Sequence, residues 1–254
     1  MTVMLAVERL SKSFGGVAAI NDVSLAFAPG SLTAIVGPNG AGKTTFFNLI
    51  SGALRPDHGR VTLLGKDIVG LARTEIVRRG IARAFQVASI FPSLTVEETL
   101  TATAQAHIRK AEGVARRFPL RECRDRAFEA MDLLGLAGQA ATLSANLSHG
   151  DQKLLDIGLA LMLEPRVLLL DEPTAGMGPE ERWQMIEKVR DLWQRQKITL
   201  VFIEHDMDIV FKVAKTINVL CYGRLLAQGT PQEIRGHPEV IAAYLGTSEE
   251  SAEP

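Results

Sequence analysis

The sequence predicts an α/β fold with a mostly parallel sheet, antiparallel strands near the N-terminus and an inserted helical subdomain. Short apolar runs bounded by turn residues alternate with helical patterns in residues 1–88 and again in 165–246, which is typical of a parallel sheet covered by helices. A glycine-rich stretch at 37–44 joins a predicted strand to a predicted helix. Residues 89–164 instead carry helical periodicity and many charges, which predicts the insertion.

Composition and charge narrow the class of protein. The 254 residues are expected to form one domain over 1–254, and the polar, acidic residues 247–254 are expected to form a flexible tail. With 46% hydrophobic and 22% charged residues, the chain has the balance of a globular protein with a full core. The net charge of −1 carries no signature of nucleic-acid binding, so we expect no nucleic-acid partner.

Neither metal coordination by cysteine nor a membrane span is predicted. Cys123 and Cys221 lack metal-ligand spacing, so we expect buried thiols in a reducing compartment. The first nine residues lack the basic and apolar regions of a signal peptide. No window approaches the ~18 apolar residues that a spanning helix needs. A membrane role would therefore require a partner.

The individual elements follow from apolar runs and from turn and cap residues. Pro29-Gly30 marks a turn between two strands. Thr95 and Glu98 fit a capping box at a helix start, and Thr230 and Glu233 fit another, with Pro231 at its first position. The predicted strands are 3–10, 24–27, 32–36, 60–64, 167–170, 200–203 and 219–222. A further helix is predicted to bury Phe128, Met131, Leu133, Leu134 and Leu136 and to end at Gly135 or Gly138.

The glycine-rich stretch fits G-x-x-x-x-G-K-[ST], the phosphate-binding loop of nucleotide triphosphatases. Glycines allow consecutive backbone N–H groups to point at one anion, and the following helix N-terminus favours negative charge. The lysine adds a positive charge for the β- and γ-phosphates, and the threonine adds a hydroxyl for Mg²⁺. The predicted fold class is therefore a phosphate-loop NTPase core, and the loop is expected to bind a nucleoside triphosphate with Mg²⁺. The expected phosphate-binding residues are Gly37, Pro38, Asn39, Gly40, Ala41, Gly42, Lys43, Thr44 and Thr45.

Two acids follow the apolar run at 167–170. Carboxylates at the end of a buried strand are costly unless they are used, and ligands bind at the carboxyl ends of parallel strands. Asp171 could hold Mg²⁺ through water, and Glu172 could orient or deprotonate an attacking water. Solvated acids at a strand end are the alternative, but the phosphate loop upstream favours the functional interpretation.

With these motifs in this order, the chain resembles the ATP-binding subunits of ABC transporters over nearly its whole length. The resemblance implies that Phe14 stacks on adenine. It implies that Gln86 senses Mg²⁺ and the attacking water, and that His205 contacts the γ-phosphate. An ordinary strand Phe, a surface Gln and a structural His are the alternatives. Glu172, His205 and Gln86 are the catalytic candidates, and Thr44, Gln86 and Asp171 are the metal-binding candidates.

Residues 147–152 resemble the Leu-Ser-Gly-Gly-Gln signature of these ATPases, with departures. The resemblance implies that Ser148 and Gly150 bind the γ-phosphate held by a second ATP-binding subunit. His149 replaces a glycine and Asp151 replaces the glutamine; we interpret Asp151 as a cap of its own helix, with Ser148 as N-cap. Gly178 stands where many relatives have an aspartate that links the two subunits.

Among these ATPases the chain resembles the importer subfamily for branched-chain and other hydrophobic amino acids, on residues 21–24, 174–181 and 203–207. That resemblance implies permease partners, a periplasmic or extracellular solute-binding protein, and a location on the cytoplasmic face of the membrane. Relatives also serve urea and short amides. A lipid-extracting export ATPase, a soluble ATPase of this type and a phosphate-loop kinase are alternatives. The apolar loop at 87–94 is a candidate for permease docking, and packing of this loop onto its own helical subdomain is the alternative.

Overall fold

The computed structural model describes residues 2–84, 90–109 and 119–249. The chain divides into two compact units, one formed by Met1–Arg79 with Ile198–Pro254 and the other by Gly80–Lys197. The predicted helical subdomain, 89–164, lies within the second unit. The strands are β1 (Leu5–Phe14), β2 (Val17–Phe27), β3 (Leu32–Val36), β4 (His58–Leu63), β5 (Lys66–Asp67), β6 (Ile81–Ala84), β7 (Val167–Asp171), β8 (Thr199–Ile203), β9 (Thr216–Cys221) and β10 (Arg224–Gly229).

The helices connect these strands or follow them. They are α1 (Lys43–Ile50), α2 (Arg73–Arg79), α3 (Val96–Arg109), α4 (Arg121–Leu134), α5 (His149–Leu161), α6 (Pro179–Gln196), α7 (Met207–Val213), α8 (Pro231–Arg235) and α9 (Pro238–Glu249), with short 3-10 helices at Ala137–Gln139 and Ser144–Asn146. In the described part of the chain, no helix is long and apolar enough to cross a membrane.

The first unit contains an antiparallel sheet and a set of mostly parallel strands. The antiparallel sheet has the order β2-β1-β4-β5. In the other set, β3 pairs in parallel with both β8 and β9, and β10 pairs with β9 in the antiparallel direction. Every residue of β3 is buried, as expected for an apolar strand covered on both faces. The phosphate loop therefore leaves a central strand.

The second unit contains parallel strands β6 and β7 and the helices α3 to α6. The capping box at Thr95 is confirmed: the Thr95 backbone N–H donates to Glu98 at 2.9 Å, and the Glu98 N–H donates to the Thr95 hydroxyl at 3.2 Å. Gly135 ends α4 with φ of 71°. The prediction that Phe128 is buried is wrong, because its ring is 41% exposed beneath the Arg124 guanidinium. The buried stripe of α4 comprises Cys123, Ala127, Ala130, Met131 and Leu134.

Several predicted bounds were too short. β1 continues to Phe14 and β2 starts at Val17, because the two strands form a hairpin whose turn residues Gly15 and Gly16 both have positive φ. Polar residues in both strands interrupt the apolar runs on which the strand prediction depends. β10 was not predicted. α9 extends to Glu249 and so includes the first three residues of the segment expected to be a flexible tail. Adding residues to an existing helix costs far less than starting one.

Candidate functional site

The phosphate loop, residues 37–44, joins β3 to α1 in the first unit. Gly37, Gly40 and Gly42 have φ of 150°, 77° and 97°, a region that L side chains rarely adopt. At Gly42 a Cβ atom would lie 2.3 Å from the Ala19 carbonyl oxygen, so a side chain has no room there. No side chain caps α1 at Gly42, an arrangement that suits anion binding at a helix N-terminus.

Lys43 lies at the start of α1 with only 6% of its surface exposed. Its Nζ donates to the carbonyl oxygens of Gly37 at 2.7 Å and Pro38 at 2.9 Å, so the ammonium group is held against the loop. Thr44 is exposed and Thr45 is half-buried. Ammonium, backbone amides and hydroxyl together form a donor set that fits the polyphosphate of a nucleotide, and the Thr44 oxygen fits a hard cation such as Mg²⁺.

Two other predicted contacts lie in the same unit. Phe14, the last residue of β1, is 48% exposed, so a face of its ring is available for stacking. The Lys12 Nζ lies 5.6 Å from the centroid of that ring. β3 and β8 run parallel with Ile35 opposite Ile203, so Gly37 and His205, each two residues beyond that pair, lie at one edge of the sheet. His205 is exposed, and its backbone N–H donates to the buried Glu204 carboxylate at 3.2 Å.

In the second unit, Asp171 ends β7 and is paired with an arginine that sequence reasoning missed. Arg83 Nη2 lies 2.5 Å from Asp171 Oδ2, and the two side chains are 8% and 5% exposed. Burying a carboxylate costs free energy unless it is paired and hydrogen-bonded, and Arg83 is that partner here. Arg83 and Asp171 are 88 residues apart, and nothing in the local sequence distinguishes Arg83 from other charged residues. The contact becomes visible only from the parallel pairing of β6 with β7.

Glu172 follows with φ of 49°, a region that is uncommon for residues other than glycine and that is enriched at functional sites. Its side chain is half-buried. The Nζ of Lys153, which is 3% exposed, lies 3.2 Å from the Glu172 carbonyl oxygen and donates to it. Lys153 therefore links α5 to the backbone of the predicted base, another contact that the sequence did not reveal.

The signature residues form the start of α5. The Ser148 hydroxyl accepts from the Asp151 backbone N–H at 3.1 Å and donates to the Asp151 carboxylate at 2.8 Å. Gln139 Nε2 donates to the same carboxylate oxygen at 3.0 Å. Ser148 therefore caps the helix through its hydroxyl. In a full capping box the Asp151 carboxylate would accept from the Ser148 backbone N–H; here it accepts from the Ser148 hydroxyl instead. Gly150 lies in the first turn of this helix, with Met177 nearby.

The two other departures lie beside this helix start. The exposed His149 places Nε2 3.3 Å from the Ala175 carbonyl oxygen, in the loop that follows Glu172. Gly178 is the N-cap of α6, and its backbone N–H donates to Glu181 at 3.2 Å. The loop at 173–178 thus contacts α5 through the His149 side chain.

The structure says less about the predicted site residue Gln86 and the predicted docking loop. Gln86 lies outside the described residues, as do residues 87–89 of the predicted docking loop. Phe91 in that loop is 52% exposed. Among the residues that the structure describes, no group of three or more His, Cys, Asp or Glu side chains could hold a metal ion.

Comparison with known proteins connects this geometry to a family. The family model described as "ABC transporter" matches residues 20–175, and the model described as "Branched-chain amino acid ATP-binding cassette transporter" matches residues 224–250. The chain is 38% identical to the high-affinity branched-chain amino acid transport ATP-binding protein LivG of Salmonella typhimurium, over 96% of this chain and 98% of that one. It is 36% identical to BraF of Pseudomonas aeruginosa, with the same two coverages.

Solved structures of ATP-binding cassettes resemble this chain over most of its length. The ADP conformation of MJ1267, an ATP-binding cassette of an ABC transporter, matches with a TM-score of 0.85 and 31% identity, over 97% of this chain and all of that one. A dimeric post-hydrolysis state of the cassette MJ0796, bound to ADP and Pi, matches with a TM-score of 0.76 and 25% identity, over 90% of this chain and 99% of that one. The predicted fold class is confirmed. The chain is an ATP-binding cassette ATPase that belongs to the ABC transporter family.

Proposed function

We propose that this chain energises a membrane importer for branched-chain or other hydrophobic amino acids. The observation that carries the proposal is the match of residues 224–250 to the branched-chain amino acid cassette model, because a phosphate loop alone is common to many NTPases. The near full-length identity to LivG and BraF supports the same assignment. Import of urea or short amides is the second candidate.

In this proposal the phosphate loop binds the nucleotide and Phe14 stacks on its base. Lys43 and the backbone amides contact the β- and γ-phosphates, for which the φ values and the uncapped start of α1 provide support. Thr44, Asp171 and Gln86 would hold Mg²⁺, which supplies charge neutralisation on the phosphates. Arg83 fixes one oxygen of Asp171, so the other oxygen is the better candidate for a water ligand.

Glu172 accepts a proton from the attacking water, and His205 contacts the γ-phosphate. The Lys153 contact with the Glu172 carbonyl supports this role, because it limits movement of the backbone that carries the carboxylate. A second ATP-binding subunit, identical or paralogous, contributes its own Ser148 and Gly150. Since the Ser148 hydroxyl donates to Asp151, it must exchange that partner for a phosphate oxygen when the subunits close.

The proposed partners place the chain on the cytoplasmic face of the membrane, bound peripherally to permease subunits. A solute-binding protein would act on the other side of the permeases.

We propose residues 87–94 as the docking segment, with the exposed Phe91 ring in support. Phe91→Asp should lower transport strongly while leaving the ATPase rate of the isolated subunit intact. Phe128→Asp changes another exposed ring and is the control; equal transport in the two variants would exclude Phe91 from docking.

An uptake assay tests the transported solute. A host strain that lacks this gene should lose uptake of radiolabelled leucine, isoleucine and valine, and the wild-type gene should restore it. The Lys43→Ala variant should not restore it, which separates ATP-driven transport from mere assembly of the importer. Loss of urea or acetamide uptake with normal leucine uptake would replace the amino-acid assignment with the second candidate.

A further inference from the structure

The imidazole of His149 connects the start of α5 to the loop at 173–178. His149 is the first residue of α5, and its Nε2 lies 3.3 Å from the Ala175 carbonyl oxygen. A carbonyl oxygen only accepts, so Nε2 carries a hydrogen and donates it to Ala175. The same nitrogen would lie 3.2 Å from a Cβ atom at Gly176, so little space separates the ring from the Gly176 backbone. The ring therefore lies against two successive residues of the loop.

Ala175 in turn contacts the backbone of Glu172. The Ala175 N–H donates to the Glu172 carbonyl oxygen at 3.1 Å, and the Nζ of Lys153 donates to the same oxygen at 3.2 Å. His149 and Lys153 are four residues apart on α5 and so lie on one face of the helix. The Glu172 carbonyl is therefore connected to this face directly by Lys153, and by two successive hydrogen bonds through Ala175 to His149.

The residue before His149 is proposed to act in the other nucleotide site. In the proposed function Ser148 contacts the γ-phosphate held by the second subunit, whereas Glu172 acts on the nucleotide of its own chain. The Ser148 hydroxyl must leave Asp151 to reach that phosphate. Any accompanying shift of the start of α5 changes the position of His149, and through Ala175 the position of the Glu172 backbone.

We propose that His149 is a positioning residue for hydrolysis, which connects the start of α5 to the backbone of Glu172 and so holds the Glu172 carboxylate for the attacking water. Glu172 has φ of 49°, a conformation that costs free energy and persists only where surrounding contacts hold it. Loss of one of these hydrogen bonds lets the backbone relax, and a small displacement of a catalytic group lowers the rate. The inference rests on the proposed roles of Glu172 and Ser148.

Two alternatives give His149 a different role: it only stabilises the fold, or its ring contacts the nucleotide directly. The His149→Phe variant keeps an aromatic ring and removes the Nε2 donor. The His149→Gln variant keeps an N–H donor near the end of a side chain of similar length. The chain offers a matched control in His58, an exposed histidine at the start of β4, at which His58→Phe makes the same chemical change.

The first measurement is steady-state ATPase kinetics of the full chain. His149→Phe should lower kcat by about three- to tenfold, the factor expected for one neutral hydrogen bond, and should change the KM for ATP less because the phosphate loop is unaltered. His149→Gln should recover most of the loss, and His58→Phe should match the wild type. A wild-type kcat in His149→Phe, or a loss that His149→Gln shares in full, would overturn the proposal.

The deciding measurement is single-turnover hydrolysis with and without Glu172→Gln. His149→Phe should slow the wild-type chain by the same three- to tenfold, about the effect of one hydrogen bond, but should slow Glu172→Gln hardly at all, because the carboxylate that it positions is gone. Direct contact with the nucleotide, or a general loss of stability, would slow both backgrounds by one factor and would overturn the proposal. Near-normal hydrolysis by Glu172→Gln alone would overturn the proposed function instead.

Discussion

Two helices of this chain begin at predicted nucleotide contacts, and they are capped in opposite ways. α1 begins after Gly42, where no side chain forms a cap. α5 begins after Ser148, whose hydroxyl both accepts from the Asp151 backbone N–H and donates to the Asp151 carboxylate. The first helix start depends on backbone geometry, with glycines at φ of 77° and 97° before it. The second depends on side chains of the chain itself.

The two helix starts differ in how much a bound anion can stabilise them. A helix start without a side-chain cap gains most from an anion, because the anion supplies acceptors that the sequence does not. A helix start that carries its own carboxylate is already stabilised and gains less. We therefore expect changes in the phosphate loop to act mainly on ATP binding, and changes around Asp151 to act mainly on stability. The predictions below test that division.

The largest effect is expected for Lys43→Ala. ATP affinity should fall by about tenfold or more, as for loss of charge-assisted hydrogen bonds, and hydrolysis should be abolished. The chain should stay folded, with a lower melting temperature because the carbonyls of Gly37 and Pro38 lose a donor. Calorimetry with ATP and a thermal melt check this, with the exposed Lys66→Ala as control. Unchanged nucleotide affinity would contradict the loop assignment.

A smaller effect on stability is expected for Asp151→Ala. The free energy of unfolding should fall by about 1 kcal/mol, because the Ser148 hydroxyl and the Gln139 amide lose the carboxylate oxygen to which both donate, while ATP affinity changes little. Asp151→Gln should lower stability slightly and keep a similar hydrolysis rate. Denaturant unfolding checks both, with Asp132→Ala on the exposed face of α4 as control. Tighter ATP-driven dimerisation with an unchanged melting temperature would mean that the carboxylate faces phosphate rather than its own helix.

The smallest effect is expected for Gly178→Asp, which restores the residue common in relatives. Its φ of −65° accepts a side chain, and the nearest atom to the new Cβ would be Glu181 Oε2 at 3.9 Å. Aspartate is the better N-cap, but the Glu181 carboxylate opposes it, so stability should rise by no more than a few tenths of a kcal/mol. Gly176→Asp, at φ of 80°, should instead destabilise by about 1 kcal/mol or more. Equal denaturation midpoints for the two variants would refute this backbone argument.

The sequence predicts the phosphate loop better than it predicts the contacts of Asp171 and Glu172, and the reason is physical. The phosphate loop is local: eight consecutive residues determine its backbone, so its position between β3 and α1 and its glycine conformations follow from the motif. The contacts that hold the acids are not local. Arg83 reaches Asp171 across 88 residues, and Lys153 reaches the Glu172 carbonyl from another helix. Such pairs depend on strand register and helix packing, which periodicity does not encode.

The bounds of the strands are also predicted well only where the local sequence determines them. The apolar strands β3, β7 and β8 were found because burial on both faces leaves a continuous apolar run. The extra length of β1 and β2 and the whole of β10 were missed, because polar residues such as Lys12, Asp22 and Gln228 interrupt their apolar residues. The apolar pattern of α4 predicts that Phe128 is buried, yet smaller residues of this helix occupy the buried stripe.

We propose that this ATPase uses Glu172 to activate the attacking water. The most direct test is single-turnover hydrolysis by Glu172→Gln beside ATP binding by the same variant, with Glu180→Gln at an exposed position as control. The account predicts wild-type ATP affinity, hydrolysis slower by about a hundredfold or more, and a dimer that persists in ATP. Near-normal hydrolysis by Glu172→Gln would contradict it.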